Sequence, residues 1–113
     1  MRFEKDDSLS PDPRYDGENV DVGIFAGDEK LGVASVYFLD DITKLSVMLY
    51  MEVDELDNAA QVLEQIAEEY IDGDERSKKK QRIKFHAPNY KEGLYYDRNK
   101  QEFQERKMDY ESE

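Results

Sequence analysis

Ten carboxylates and no cation lie between Glu52 and Glu75, and six bases without an acid follow in the nine residues from Arg76 to Lys84. Charge sorted this sharply is the strongest chemical feature of the chain. A row of carboxylates can ligate a metal, work as acid and base, or attract a basic partner. Metal ligation matches poorly, because "DGDER" (Asp72–Arg76) is shorter than the twelve-residue calcium loop and lacks its ligand pattern. Acid–base catalysis is served no better. His86 is the only histidine, and its neighbours supply no Ser or Asp at a recognisable spacing, so it reads as an ordinary strand residue. Paired carboxylates for glycoside cleavage carry no information in a chain with 28 acids. Gly23, Gly27 and Gly32 do not form a phosphate-cradling loop and suit turns or bulges. The chain has no cysteine, which excludes disulfides, thiolate zinc sites and cysteine nucleophiles. A non-catalytic protein without metal or cofactor is the expectation.

The element that carries the acids is a helix. Leu56, Ala59, Ala60, Leu63, Ile66, Ala67 and Tyr70 recur at spacings of three and four, which predicts an amphipathic helix over about 54–71. Asp54 or Asp57 suits its N-cap, acids in its first turn suit the dipole, and Gly73 falls where a C-terminal cap belongs. Asp57, Glu64, Glu68, Glu69, Asp72 and Asp74 then lie on or beside its wet side and are the candidate partner-binding residues. The bases that follow sit just past the helix end, where positive charge is favoured.

Four strands accompany the helix. "VDVGIF" (20–25) alternates and "LGVASVYFL" (31–39) is apolar on both faces; Gly27–Asp28 turns one into the other as a hairpin. In "TKLSVMLYMEV" (43–53), Leu45, Val47, Leu49, Met51 and Val53 share one face. "RIKFHA" (82–87) turns Ile83, Phe85 and Ala87 inward and Arg82, Lys84 and His86 outward, until Pro88 ends it. The predicted core is Leu45, Val47, Leu49, Met51, Leu56, Leu63, Ile66, Ile83 and Phe85. Residues 1–19 read as an extended or disordered arm with turns near Ser10–Pro13 and Asp16–Gly17, and 20–113 as one domain. "NYKEGLYYDRNKQEFQERKMDY" (89–110) fits a turn or short helix followed by a strand near Phe103–Tyr110, the favoured reading, or a hairpin turning at Arg98–Asn99–Lys100. The fold class expected is therefore α+β: a small, mainly antiparallel sheet of three to five strands with one long helix packed on one face.

The order hairpin, strand, helix, strand over about residues 20–110 is similar in topology to the GNAT acetyltransferases. That resemblance implies an acyltransferase-shaped domain in which a Gly-rich loop between the central strand and its helix holds the pyrophosphate of acetyl-CoA. Here that loop reads "EVDELDNAAQ", with no glycine and four acids from Glu52 to Asp57. Acid at this place repels a pyrophosphate, so the resemblance implies at most a degenerate or divergent relative.

A net charge of −12 disfavours direct binding to nucleic acid or to anionic membranes and favours a basic partner. The N-terminus has no apolar run of the signal-peptide kind, and no stretch reaches the ~18 apolar residues of a membrane span. A soluble cytoplasmic protein is expected. Its expected role is that of a binding or regulatory protein, an inhibitor presenting its carboxylate-rich helix to a basic, nucleic-acid-handling partner. The alternative places a nucleic-acid contact on the basic 76–84 segment, with Lys78, Lys80, Arg82 and Lys84 holding phosphates and Tyr95 and Tyr96 stacking bases.

Overall fold

The computed structural model describes residues 1–5 and 18–104. They form a single seven-stranded sheet whose strands lie side by side in chain order. The strands are β1 (Arg2–Lys5), β2 (Glu18–Ala26), β3 (Glu29–Phe38), β4 (Thr43–Leu49), β5 (Gln81–Ala87), β6 (Tyr90–Asp97) and β7 (Glu102–Gln104). Neighbours run antiparallel except β4 and β5, which are parallel. A parallel pair needs a long crossover. It is supplied by helix α1 (Leu56–Ala67), extended through a π-helical turn at Glu68–Asp72.

This architecture corrects the expected one. The sheet is mixed and has seven strands in place of three to five, and the helix is shorter than 54–71, with twelve α-helical residues and five in the π turn. Beyond the four strands read in 20–87 and the strand expected near Phe103, which begins as β7, the sheet gains β1 and β6. "RFEK" offers one apolar side chain, and β6 carries Gly93 at φ +84°, so neither shows a clean strand alternation. The helix starts late because residues 50–55 carry the chain from the sheet end to the helix, burying Val53 on the way.

Register places the core in straight rows across the strands. Val20, Val36, Leu45, Ile83, Tyr96 and Phe103 form one row; Val22, Ala34, Val47, Phe85 and Leu94 form the next. Leu63, Ile66, Ala67 and Ile71 of the helical segment close over these rows and are fully buried. Leu63, Ile66 and Ile71 each stabilise the fold by about 1.5–3 kcal/mol through this burial. Of the predicted core only Met51 and Leu56 depart: Leu56 is half-buried, and Met51 is 43% exposed because β4 ends at Leu49, before reaching it.

The helix ends differ from expectation too. Glu55 occupies the N-cap without a side-chain cap bond, and Gly73 (φ −92°) is not left-handed. The Ile71 carbonyl instead accepts from the Ser77 hydroxyl at 2.5 Å and the Asp74 amide at 3.1 Å. Of the N-terminal stretch read as an arm, Arg2–Lys5 pairs with β2, while the expected turns near 10–13 and 16–17 lie outside the described residues. At the other end β6 and β7 form the hairpin alternative, turning at residues 98–101; the favoured short helix is not formed. The rest of the strand expected to Tyr110 lies outside the described residues.

Candidate functional site

The six acids singled out in the sequence fall into two sets. Arg98, in the β6–β7 turn, reaches back to the helix with its planar fork. Its Nε donates to Glu64 at 2.8 Å, its Nη1 and Nη2 to the two oxygens of Asp72 at 2.8 and 3.0 Å, and Nη1 also to Gln81 at 3.2 Å. These bonds from Arg98 hold the Asp72 carboxyl below its ordinary value and raise the Arg98 guanidinium still higher. Asp74 is engaged as well: Arg76 donates to it from Nε at 2.9 Å, from Nη2 at 2.6 Å and from its backbone amide at 2.9 Å, which lowers the carboxyl to about 2. The pKa of the Tyr70 phenol is raised, by burial first and by the neighbouring Glu69 charge second.

Asp57 and Glu68 stand apart from these networks. They are exposed and share a shallow groove of about 390 Å³ with Gln61, Glu64, Tyr96 and Gln101, along the flank of α1 that faces β6. Glu52, Asp54 and Glu55 extend this acidic surface around the start of the helix, all exposed. Among the described residues no hydrogen bond or ion pair engages the side chains of Glu52, Asp54, Glu55, Asp57 or Glu68. Among the described residues these five carboxylates have no side-chain partner; four lie between Glu52 and Asp57, and Glu68 follows about three helical turns further along.

The basic candidates are dispersed. The Lys78 amide donates to the Thr43 hydroxyl at 2.7 Å, and the Lys80 carbonyl accepts from the Thr43 amide at 3.0 Å, so this connection is fastened to β4 by its backbone. Lys80 lines a cavity of about 520 Å³ beside Lys79, Gln81 and Arg98. Arg82 and Lys84 lie on the opposite side of the sheet from the helix, where the Lys84 ammonium sits 5.2 Å from the Tyr95 ring centroid. Tyr95 shares that face, whereas its neighbour Tyr96 is buried in the core, 4.9 Å from Phe103 between centroids. The strand period separates the two tyrosines. His86, also on the face away from the helix, has Nδ1 3.3 Å from the Lys91 carbonyl. Among the described residues no group of three or more His, Asp or Glu is placed to hold a metal ion.

Where β4 hands over to the helix, the backbone is committed. The Val53 amide donates to the Asn89 side-chain oxygen at 3.0 Å and the Asn89 amide donates to the Val53 carbonyl at 2.8 Å; the Tyr50 amide donates to Leu31 at 2.8 Å. Asn89 acts as a spare peptide group, joining this loop to the β5–β6 turn beyond the last parallel pair. Sequence reasoning missed Asn89, Arg98 and Thr43. Each belongs to a partner 34 to 36 positions away, and only Asn89, beside Pro88 in a turn, carried any local signal.

Comparison of the chain with protein-family models, with curated proteins and with solved structures finds no match. Among the described residues no helix is long and apolar enough to cross a membrane.

Proposed function

We propose that the protein is a non-catalytic binding and regulatory protein that docks a basic protein against the acidic surface at the start and flank of α1. The observation that supports this reading is the set of carboxylates that no described residue engages, Glu52, Asp54, Glu55, Asp57 and Glu68, while Glu64, Asp72 and Asp74 are occupied within the fold. Carboxylates already paired to arginine have little charge to offer; unpaired ones steer a cationic partner and gain from its approach. The partner class that fits is a nucleic-acid-handling protein, whose phosphate-binding surface accepts a row of carboxylates as a competitor. A cytoplasmic setting agrees with the absence of cysteine.

The test is capture from cell lysate by the wild type and by an Asp57→Lys/Glu68→Lys variant, with duplex DNA as competitor. A partner held by the wild type, lost by the variant and displaced by DNA supports the reading. A partner retained by the variant, or indifferent to DNA, removes it. Glu64→Lys is the wrong probe, because it would break the Arg98 junction along with the surface.

A further inference from the structure

The large hydrophobic side chains left exposed are not scattered. Among the described residues they are Met1, Met48, Tyr50 and Met51, at 63%, 49%, 52% and 43% exposure. Met48, Tyr50 and Met51 follow one another in the chain where β4 runs out, Met48 on the sheet face away from the helix, and Met1 and Met51 border one groove of about 500 Å³ on the helix side. Its floor is Leu31, Leu49, Val53 and Val62, from β3, the end of β4, the following loop and the helix. The volume falls within the ~300–1,000 Å³ of clefts that hold ligands. The rim carries Glu52 and Asp54, and among the described residues neither has a side-chain partner and no lysine or arginine lines the groove.

An apolar trough with an acidic rim is complementary to one kind of surface: an apolar stripe flanked by cations. We infer that this groove takes the aliphatic side chains of a cationic amphipathic helix from the partner protein, with Glu52 and Asp54 meeting the basic residues that flank its apolar stripe. The inference rests on the acidic surface being a binding surface and adds what that surface alone lacks, a means of selecting shape. Helix-in-groove recognition seats anchors at i, i+3, i+4 and i+7. Methionines suit the task, since an unbranched, polarizable side chain repacks around different aliphatic anchors. The exposure of Met1 and Met51 leaves them free to move on binding.

The probe is a fluorescent Lys/Leu peptide of about 18 residues, five helical turns, compared with a scrambled isomer of the same composition that cannot form an apolar stripe. Binding is read by anisotropy on the full chain. The amphipathic peptide is expected to bind at least about tenfold tighter than its isomer. Met51→Gln, at an exposed position that leaves the fold intact by circular dichroism, is expected to erase most of that advantage without affecting the isomer. Equal binding of both peptides, unaffected by Met51→Gln and lost in Glu52→Lys/Asp54→Lys, overturns the groove and keeps the acidic surface. Failure of both peptides to bind overturns both.

Discussion

Arg98 grips Asp72 with both ends of its guanidinium, at 2.8 and 3.0 Å, across 26 positions of sequence. With its third bond to Glu64 it fastens the β6–β7 turn to the helical segment. It also decides which acids of the helix remain available to anything outside the fold.

Replacing Arg98 by alanine leaves Glu64 and Asp72 close together with no cation between them. A loss of about 1–2 kcal/mol is expected for these partly exposed charge-assisted bonds, read as a drop of several degrees in the melting temperature. Arg98→Lys recovers only part of it, since a point charge cannot serve two carboxylates in the same geometry. An unchanged melt would mean the junction contributes nothing. The sign with pH follows from Asp72, whose carboxyl is lowered in the fold. Its contribution is complete above the ordinary carboxylate value and fades as pH falls through the folded value, so the gap between wild type and Arg98→Ala should narrow in acid.

Asp74 should titrate near 2 when followed by the carboxyl carbon shift in NMR, because Arg76 bonds it through side chain and backbone alike. Arg76→Ala is expected to move that midpoint up towards the ordinary value of 3.8. The backbone bond remains, so the return should be incomplete. A midpoint near 3.8 in the wild type would show that the Arg76 contact does not persist in solution.

Asn89→Ala removes a donor and an acceptor from the Val53 peptide group at once. The expected cost is about 1–3 kcal/mol, with faster hydrogen exchange at the Val53 amide than at the core amides of β4. Asn89→Asp separates the two bonds. It keeps an acceptor for the Val53 amide and offers the carbonyl no donor, so the exchange should be less affected than the stability.

Gly32 lies in β3 beside the end of β4, and a Cβ there would run into the Met48 carbonyl and stand 3.0 Å from the Leu49 Cα. Both neighbours are backbone and cannot step aside. Gly32→Ala should therefore cost about 1–3 kcal/mol in chemical denaturation and disturb the floor of the apolar groove. The contrast is Gly27, where nothing lies within 4 Å and only the positive φ of +61° resists a side chain.

Much of the middle of the fold was legible in the sequence. Period two in residues 20–25, 43–53 and 82–87, the apolar run at 31–39, and period 3.6 from Leu56 to Tyr70 mark β2 to β5 and the helix to within a few residues, apart from the early end of β4 at Leu49. Alternation runs on through Met51 and Val53, but the last bond to β3 is that of the Tyr50 amide to Leu31, and the Val53 backbone is held by the Asn89 side chain instead. The edges were less legible. Edge strands need no second apolar face, so β1 with its one phenylalanine and β7 with three residues leave little pattern to read. The acids of the helix could be placed on its wet side from spacing alone. Which of them are paired could not, because the deciding arginine arrives 26 and 34 positions later.

The lone parallel pair divides the sheet into two meanders, β1–β4 and β5–β7, and this has a bearing on how the chain reaches its final form. Within β2–β4 and within β5–β7 neighbouring strands are joined by short turns or loops, and such local contacts close early. Union of the two halves must wait for contacts far apart in sequence, namely Thr43 with Lys78, Val53 with Asn89 and Glu64 with Arg98, at separations of 35, 36 and 34. The crossing helix, the two loops and the arginine thus act as the late-closing seam of the molecule. It is along that seam, between β4 and β5, that the sheet should first part under stress.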